Sequence, residues 1–364
     1  PSGRWQTRYS APATGRLRTA PHTFATTTEA GRWLSVLEAD SLRGVWVDPR
    51  EGDMRFAELA ERWFATKIHL RETTKLQYHY LLKKHLLPFF GERPIGSITV
   101  LDVQTWLADR QANTSLCANS VAKAYKVLRM VMETAVEAGL ILRTPCRVKG
   151  AATERLPEMR AATPEQVAEI TSNVEPRWQA LILMAAYSGL RWGERAGLRQ
   201  KHLDPLHKKV RVVEQLLEVN GRLIFSAPKT AAGVRTVALP PFLVEVMVDH
   251  VARYGQPGAD GLVFVMPEGT PLRRENFRRR VWYPAVRAAG MEGFRFHDLR
   301  HTNATLAAAS GAPLPALMAR LGHASAAAAI RYQHRIEGQD EEVAEYLEAF
   351  GGLVPTAKQH LLGN

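Results

Sequence analysis

The chain has 364 residues, 46% of them hydrophobic and 23% charged, which is ordinary for a globular protein of two or three domains. Its two cysteines, Cys117 and Cys146, argue against a disulfide framework or a zinc knuckle, and no run of about 18 apolar residues predicts a membrane span. The formal net charge of +12 predisposes the chain to bind a polyanion, most often nucleic acid.

The first 45 residues predict a small module of strands and one helix. Polar and apolar residues alternate between Trp5 and Phe24 around a turn at Ala13–Gly15, which predicts two or three short strands. Apolar residues spaced i, i+3, i+4 and i+7 from Ala30 predict a helix from about Thr28 to Ser41. Residues 46–55 are expected to form a linker.

Residues 56–145 predict an all-helical domain. An apolar stripe that starts at Phe56 is followed by helical patterns over about 72–87, 100–111 and 117–138. Four aromatic residues are expected in its core rather than in contact with bases, and they are Trp63, Phe89, Phe90 and Trp106. Residues 146–162 have mixed charges and no periodicity, so they predict a second linker.

Residues 163–364 predict a mostly helical domain with a small antiparallel sheet. Thr163, Pro164 and Gln166 form a capping-box signal at its first helix, and Trp178–Gly189 predicts a largely apolar helix. Helical patterns return after the strands and continue to about Phe350.

The strands of this domain are predicted from turn residues. Lys209–Leu217 and Arg222–Ser226 flank Asn220-Gly221, a strong signal for a two-residue hairpin turn. Lys229 is expected at the mouth of a second hairpin turn.

Four short strings combine residues that suit phosphoryl chemistry. They are SGLRWGE at 188–194, HDLRHT at 297–302, LGHAS at 321–325 and RYQH at 331–334. Guanidinium groups hold phosphate oxygens bidentately, imidazoles donate hydrogen bonds or move protons, and a phenol oxygen attacks phosphorus. In this order and spacing, the strings resemble those of the tyrosine recombinase family of phage-type integrases.

The resemblance implies an α+β multidomain fold. Residues 1–45 are similar to an arm-type DNA-binding module with a three-stranded sheet and a helix. Residues 56–145 and 163–364 are similar to the core-binding and catalytic domains of the family. The implied function is site-specific DNA recombination, in which a tyrosine attacks a DNA phosphodiester, forms a 3′-phosphotyrosyl intermediate and permits strand exchange.

The resemblance also assigns roles to residues. Six positions match the catalytic set, and they are Arg191, Lys229, His297, Arg300, His323 and the nucleophile Tyr332. Glu194 follows Arg191 by three residues and is expected to orient it. The covalent intermediate conserves the energy of the phosphodiester, so neither ATP nor a metal or other cofactor is expected.

Several alternatives share some of these features. His297 and His301 have the i, i+4 spacing of a zinc-peptidase helix, but Asp298 stands where that motif has glutamate and no third ligand is apparent. A chromosome-dimer resolving or transposon-type recombinase and a type IB topoisomerase-like enzyme share the implied chemistry. A DNA-binding regulator without catalysis is opposed by the intact catalytic set.

Further arginines are expected to contact DNA, mainly at phosphates. Those of the N-terminal module precede the first acidic residue, and they are Arg4, Arg8, Arg16 and Arg18. Those that precede HDLRHT are Arg273, Arg274, Arg278, Arg279 and Arg280.

The resemblance further implies partners and a place of action. Double-stranded attachment sites, a homotetramer on DNA, and host DNA-bending and directionality factors are expected partners, with no membrane. The acidic C-terminal segment predicts a helix with Val343, Tyr346, Leu347 and Phe350 on one face. The expected location is the cytoplasm of a bacterial host, in association with its nucleoid.

Overall fold

The structure is a computed structural model that describes residues 3–10, 17–43, 48–113, 117–154, 159–326 and 329–330. The chain divides into two compact units, Pro1–Pro157 and Glu158–Asn364. The division falls inside the stretch 146–162, which the sequence predicts as a linker. Helices alternate with small antiparallel sheets, which confirms the α+β class. Within these ranges, no helix combines the length and apolar character needed to cross a membrane.

The N-terminal module contains a two-stranded sheet and one helix. Strands β1 (Arg8–Ser10) and β2 (Leu17–Thr19) are antiparallel. Helix α1 (Thr27–Leu42) begins where the side chain of Thr26 accepts a hydrogen bond from the backbone N–H of Glu29. The predicted helix is therefore confirmed to within one residue at each end.

A single bridge stands in place of the third strand expected in this module. Trp5 and Phe24 exchange backbone hydrogen bonds at 2.8 and 2.7 Å. Pro21 has no backbone N–H, and the chain bends at His22, so Phe24 does not continue from β2 as a paired strand. The described part of the module has two strands, and the expectation of three was wrong there.

The regular elements in the rest of the first unit are helices, within the part of it that the structure describes. Its helices are α2 (Phe56–Ala65), α3 (Glu72–Leu81), α4 (Leu87–Phe90), α5 (Val100–Ala112) and α6 (Ala118–Glu137). Trp63, Phe90 and Trp106 are buried in one core, and Phe89 packs against it. The indole N–H of Trp106 donates to the carbonyl of His85 at 3.0 Å. The prediction that these aromatic residues are core residues is confirmed.

The second unit builds its helices around one apolar element. The helices are α7 (Pro164–Ser172), α8 (Pro176–Ser188), α9 (Trp192–Ala196), α10 (Pro241–Tyr254), α11 (Arg274–Phe277), α12 (Tyr283–Ala288), α13 (Asp298–Ala309) and α14 (Leu314–Leu321). Helix α8 is mostly buried and packs against α7, α10 and α13. The capping box at α7 is present, since Thr163 N donates to Gln166 Oε1 at 2.9 Å and Gln166 N donates to Thr163 Oγ1 at 3.3 Å.

Prolines widen two helices by one π turn each. The π-helical segments Leu82–Leu86 and Arg278–Trp282 lie just before Pro88 and Pro284. A proline cannot donate a backbone hydrogen bond, and its ring collides with the carbonyl four residues back. In both segments the next N–H donates to the carbonyl five residues back, so α3 runs on into α4 and α11 into α12.

The strand predicted over Lys209–Leu217 is in fact two strands in different sheets. Strand β4 (Lys209–Val212) pairs with β3 (Leu203–Asp204) and β7 (Arg235–Ala238). Strand β5 (Gln215–Val219) pairs with β6 (Arg222–Ser226).

Close packing explains why β5 leaves the first sheet. A Cβ atom on Gly193 would lie 2.8 Å from the carbonyl of Leu216, and one on Gly197 would lie 2.7 Å from its backbone nitrogen. These two glycines let β5 approach the backbone around α9, which separates β5 from β4.

The turn predictions for these strands have opposite outcomes. Asn220 and Gly221 join β5 to β6 with φ values of 50° and 74°, as a two-residue hairpin turn requires, so this prediction is confirmed. The prediction of a second hairpin turn at Lys229 was wrong. Because β7 pairs with β4 and not with β6, Lys229 lies in a connection between two sheets.

Candidate active site

Arg191 is positioned at the start of α9, two residues after the glycine that caps α8. Helix α8 ends at Gly189, whose φ of 69° is accessible to glycine, and a Cβ there would lie 2.6 Å from Asn303 Oδ1. Arg191 N donates to Glu194 Oε2 at 2.8 Å, and Arg191 Nη1 donates to Glu194 Oε1 at 2.9 Å. Arg191 Nη2 donates to the carbonyl of Gly322 at 3.0 Å. Glu194 therefore contacts Arg191 through two hydrogen bonds at the three-residue spacing from which its orienting role is predicted.

A second arginine, Arg235, shares the carboxylate of Glu194. Arg235 Nη1 and Nη2 donate to the two oxygens of Glu194 at 3.1 and 2.9 Å, and Arg235 Nε donates to the carbonyl of Arg320 at 2.8 Å. The side chains of Arg235 and Glu194 are 6% and 1% exposed. Sequence reasoning missed Arg235, because no local spacing links a strand residue to a helix 41 positions earlier.

The charge of Glu194 is fixed by these arginines. Burial by itself would raise the pKa of the carboxyl, but the hydrogen bonds and charges of Arg235 and Arg191 outweigh it and lower the pKa of Glu194 to about 2. The group is therefore a carboxylate at neutral pH and holds both guanidinium groups.

Arg300 and His323 meet at the ends of two helices. Arg300 lies in the first turn of α13, is buried, and donates to the carbonyls of Gly189 and Leu321. Arg300 Nη2 lies 3.1 Å from His323 Nε2. His323 directly follows Gly322, which ends α14 with a φ of 62°. The predicted boxes at 188–194, 297–302 and 321–325 thus converge.

His323 is a neutral imidazole, and one of its ring nitrogens has no hydrogen-bond partner among the described residues. Burial, and then the charges of Arg300 and Arg191, lower the pKa of His323 to about 4. Arginine can only donate, so the network assigns Nε2 as the acceptor and places the proton on Nδ1. His323 Nδ1 is buried without a hydrogen-bond partner among the residues that the structure describes.

His297 is placed at the N-terminus of α13 and lines a cavity. The cavity has a volume of about 810 Å³, and Arg191, Arg274 and Arg278 also line it. His297 is an exposed residue, yet desolvation, followed by the charges of His301 and Arg300, lowers the pKa of its imidazole. His297 is therefore neutral at pH 7 and able to accept a proton. Throughout the described ranges, no group of three or more His, Cys, Asp or Glu is arranged to hold a metal.

Lys229 is exposed in the connection between β6 and β7. Residues of the same connection pack against α14, because a Cβ on Gly322 would lie 2.9 Å from the carbonyl of Ala232. The segment that carries Lys229 therefore passes beside the residue that precedes His323. Tyr332 and the predicted acidic helix lie outside the described residues.

The arginines expected to contact DNA differ in their surroundings. Arg279 and Arg280 are exposed in the π turn before α12. Arg273 is paired with Glu218, and Arg278 with Glu275 at 3.0 Å. Arg274 is exposed on α11 and lines the cavity.

In the N-terminal module, two of the four arginines have internal partners. Arg18 donates to Asp48, which is 5% exposed, and to Glu51 at 3.1 Å. Arg4 donates to the side chain of Thr23 at 2.8 Å, whereas Arg8 is exposed on β1. Arg16 lies outside the described residues. The ion pairs give Arg18 a structural role, in joining the module to the segment that follows it.

Replacing Glu194 is expected to remove a pH-dependent part of the stability. The pKa of Glu194 is depressed from roughly 4.3 to about 2, so its contribution is complete above pH 4.3 and is lost as the pH falls toward 2. Glu194→Gln is expected to lower the free energy of unfolding by about 3 kcal/mol at pH 7, with the deficit closing at low pH. Urea unfolding of both proteins at several pH values measures this difference in the free energy of unfolding.

The control for this experiment is Glu245→Gln, which removes an exposed carboxylate from α10. It should leave the pH dependence of the wild type in place. An equal pH dependence in Glu194→Gln and the wild type would contradict the proposed charge state of Glu194.

Comparison with known families identifies three regions of the chain. Residues 160–338 match the phage integrase family, residues 1–43 match the N-terminal domain of phage integrases, and residues 55–109 match the N-terminal SAM-like domain of phage integrases. The first of these matches includes the boxes that converge in the structure.

Relatives of known name match along nearly the whole chain. The prophage phiRv2 integrase of Mycobacterium tuberculosis (strain CDC 1551) is 37% identical over 356 residues, which covers 95% of this chain and 92% of that protein. The integrase of Mycobacterium phage D29 is 29% identical over 366 residues, with 97% and 96% covered.

Solved structures share the fold at low sequence identity. The Tn1549 transposon integrase in complex with a circular intermediate DNA has a TM-score of 0.71 at 20% identity, covering 81% of this chain and 99% of that one. A lambda integrase dimer bound to a COC′ core site has a TM-score of 0.59 at 15% identity, with 92% and 95% covered. From the family match and the identity to the prophage integrase, the chain belongs to the phage integrase family and is a site-specific DNA recombinase of the tyrosine recombinase class.

Proposed function

We propose that this recombinase joins phage-type attachment sites by attack of the Tyr332 hydroxyl on a DNA phosphodiester. The observation that carries the proposal is the convergence of two arginines and two neutral histidines from distant parts of the sequence. Arg191 reaches the carbonyl of Gly322, and Arg300 reaches the imidazole of the next residue, His323. Two guanidinium groups beside neutral imidazoles suit a phosphoryl group that gains charge in its transition state.

Each residue then has one step to perform. Arg191 and Arg300 bind the non-bridging oxygens of the attacked phosphate, and His323 donates a hydrogen bond to it. His297 takes the proton of Tyr332 as the bond between the tyrosine oxygen and phosphorus forms. The bond to the 5′-oxygen breaks, and Lys229 gives that oxygen a proton. Reversal by the 5′-hydroxyl of a partner duplex completes strand exchange.

The module at residues 1–45 is assigned to arm-type DNA sites, residues 56–145 to the core site and residues 163–364 to catalysis, with linkers at 46–55 and 146–162. The match of residues 1–43 to the N-terminal domain of phage integrases supports the phage subtype over a chromosome-dimer resolving enzyme. Phosphate contacts are assigned to exposed arginines such as Arg8, Arg279 and Arg280.

The assembly that acts is proposed to be a homotetramer on double-stranded attachment sites in the bacterial cytoplasm, associated with the nucleoid. Host DNA-bending and directionality factors are the proposed accessory partners. The Tn1549 transposon integrase and the lambda integrase were solved in complex with DNA, which supports the choice of DNA as the substrate.

Tyr332→Phe is expected to abolish strand cleavage and to leave DNA binding within about twofold, because only the nucleophilic oxygen is lost. A suicide substrate analysed on denaturing gels measures the covalent protein–DNA adduct. Tyr254→Phe, which removes a hydroxyl at the end of α10, is the matched control and should form adduct normally. Adduct formation by Tyr332→Phe would refute the assignment of the nucleophile.

Lys229→Ala is expected to slow cleavage by about 100-fold or more, since the departing 5′-oxygen lacks its proton donor. Replacing that oxygen with sulfur should restore the rate, because a thiolate leaves without protonation. Single-turnover cleavage of the two substrates measures the effect. Equal slowness on the sulfur substrate would exclude Lys229 as the general acid.

Removal of the N-terminal module is expected to separate two DNA-binding activities. Residues 48–364 should bind and cleave core-site DNA and lose protection of any second site, which footprinting of an attachment region measures. Arg8→Ser should weaken the second footprint, whereas Arg18→Ser should lower the thermal stability of the module, because Arg18 pairs with Asp48 and Glu51. If the full chain and residues 48–364 protect the same single stretch, the module is not an arm-site reader.

A further inference from the structure

One buried cation is used by none of the steps above. Arg195 lies in the last turn of α9 with no exposed surface. Its Nε, Nη1 and Nη2 atoms have no hydrogen-bond partner among the described residues. The guanidinium group faces the ring of Phe296, with 4.7 Å between its Cζ and the ring centroid.

The adjacent carboxylate cannot satisfy this cation. Glu194 is next to Arg195 in sequence, but both of its oxygens accept hydrogen bonds from Arg191 and Arg235. Burial lowers the pKa of Arg195, yet an arginine starts from so high a pKa that it keeps its charge at neutral pH. A buried charge with unpaired donors is strongly unfavourable, so an anion is expected to bind beside Arg195.

A pocket beside Arg195 has the composition to bind one. It has a volume of about 240 Å³, and its lining consists of Trp192, Arg195, Arg274, Arg278, Arg295, Phe296 and His297. Arg278 and Arg295 are paired with Glu275 and Asp298 respectively. No acidic side chain lines this pocket in the described part of the chain, and its four arginines make it strongly positive.

The pocket is continuous with the active site. It shares Trp192, Arg274, Arg278 and His297 with the larger cavity, which Arg191 also lines. The charges of Arg195 and Arg274 both reach His297, since each lowers the pKa of its imidazole. An anion in the pocket would therefore lie beside the proposed proton acceptor and apart from the contacts of Arg300 with Gly189 and Leu321.

We propose that Arg195 and Arg274 form a phosphate-binding pocket that takes a backbone phosphate of the DNA substrate, other than the phosphate that is attacked. The assignment of DNA as the source rests on the proposed function. The assignment of phosphate as the ligand rests on the donors of Arg195 and on the positive lining of the pocket. The tetrahedral oxyanion supplies acceptors for the donors of Arg195, and the exposed Arg274, which also lines the pocket, supplies a second guanidinium group.

The first experiment tests the pocket without DNA. The thermal stability of the full chain is measured against inorganic phosphate at constant ionic strength, with chloride as the balancing anion. The wild type should gain stability with phosphate. Arg195→Met should be more stable than the wild type without phosphate, because an unpaired charge is gone. Its gain in stability with phosphate should be smaller than that of the wild type, because only the active-site arginines remain to bind the anion. Arg253→Met, which removes an exposed arginine from α10, should respond like the wild type.

The second experiment identifies the source of the phosphate. Core-site DNA is prepared with a neutral methylphosphonate at one backbone position at a time, and its affinity for each variant is measured. Arg195→Met should weaken binding of unmodified DNA about tenfold and reduce the slope of log K against log salt by about 0.9. At one backbone position other than the cleaved one, methylphosphonate should lower the affinity of the DNA for the wild type by a similar factor. The same substitution should leave the affinity for Arg195→Met unchanged.

Arg274→Gln changes an exposed pocket residue and keeps the test valid if Arg195→Met folds poorly. Its affinity for DNA should also be unchanged by methylphosphonate at the position that is coupled to Arg195. If Arg195→Met reduces the phosphate response but no DNA position shows coupling, the pocket binds a free anion and the assignment to a DNA phosphate is overturned. An unchanged phosphate response in Arg195→Met would overturn the pocket itself. Neither readout requires cleavage, so failure of the Tyr332 assignment would be recognised separately by the adduct assay.

Discussion

The buried carboxylate of Glu194 is the interaction on which the site depends. It lies between Arg191 and Arg235, which reach it from the start of α9 and from β7. Arg235 in turn donates to Arg320 of α14, and Arg191 donates to Gly322. One anion thus joins a helix start, a sheet and the end of another helix. Removing one member of a buried ion pair leaves an uncompensated charge, at a typical cost of about 3–5 kcal/mol.

Carbonyl groups at helix ends hold the two predicted catalytic arginines. Arg300 donates to Gly189 at the end of α8 and to Leu321 at the end of α14, and Arg191 donates to Gly322. The last carbonyls of a helix have no partner inside it and carry a partial negative charge, so they suit guanidinium groups. Glycine at 189 and 322 allows both helices to end in a left-handed residue, close to neighbouring chain segments. The arginines are thereby fixed before any phosphate arrives.

Concentrated positive charge has a second effect, on the histidines. His323 and His297 lie among arginines, and desolvation together with those charges lowers the pKa of each imidazole. Both are therefore neutral at pH 7, which lets one accept a proton and the other donate a hydrogen bond without adding charge. The same excess of cations leaves Arg195 buried without an acceptor in the part of the chain that the structure describes. The protein has thus assembled more positive charge at this site than its own acids neutralise, which suits a polyanionic substrate.

The sequence by itself determined the chemistry and the class of fold. The strings at 188–194, 297–302 and 321–325 identified residues that meet in space, and local signals placed the capping box at Thr163 and the turn at Asn220-Gly221 correctly. These features depend on neighbours within a few residues, so spacing reveals them. Tertiary structure decided that a single bridge replaces the third strand of the N-terminal module. It also decided that Lys209–Leu217 is divided between two sheets and that Lys229 lies in the connection between them. It also decided that Glu194 pairs with Arg235 and that Arg18 pairs with Asp48. Each of these outcomes depends on close approach between segments distant in sequence, where the energy of packing and ion pairing outweighs the local preference of either segment.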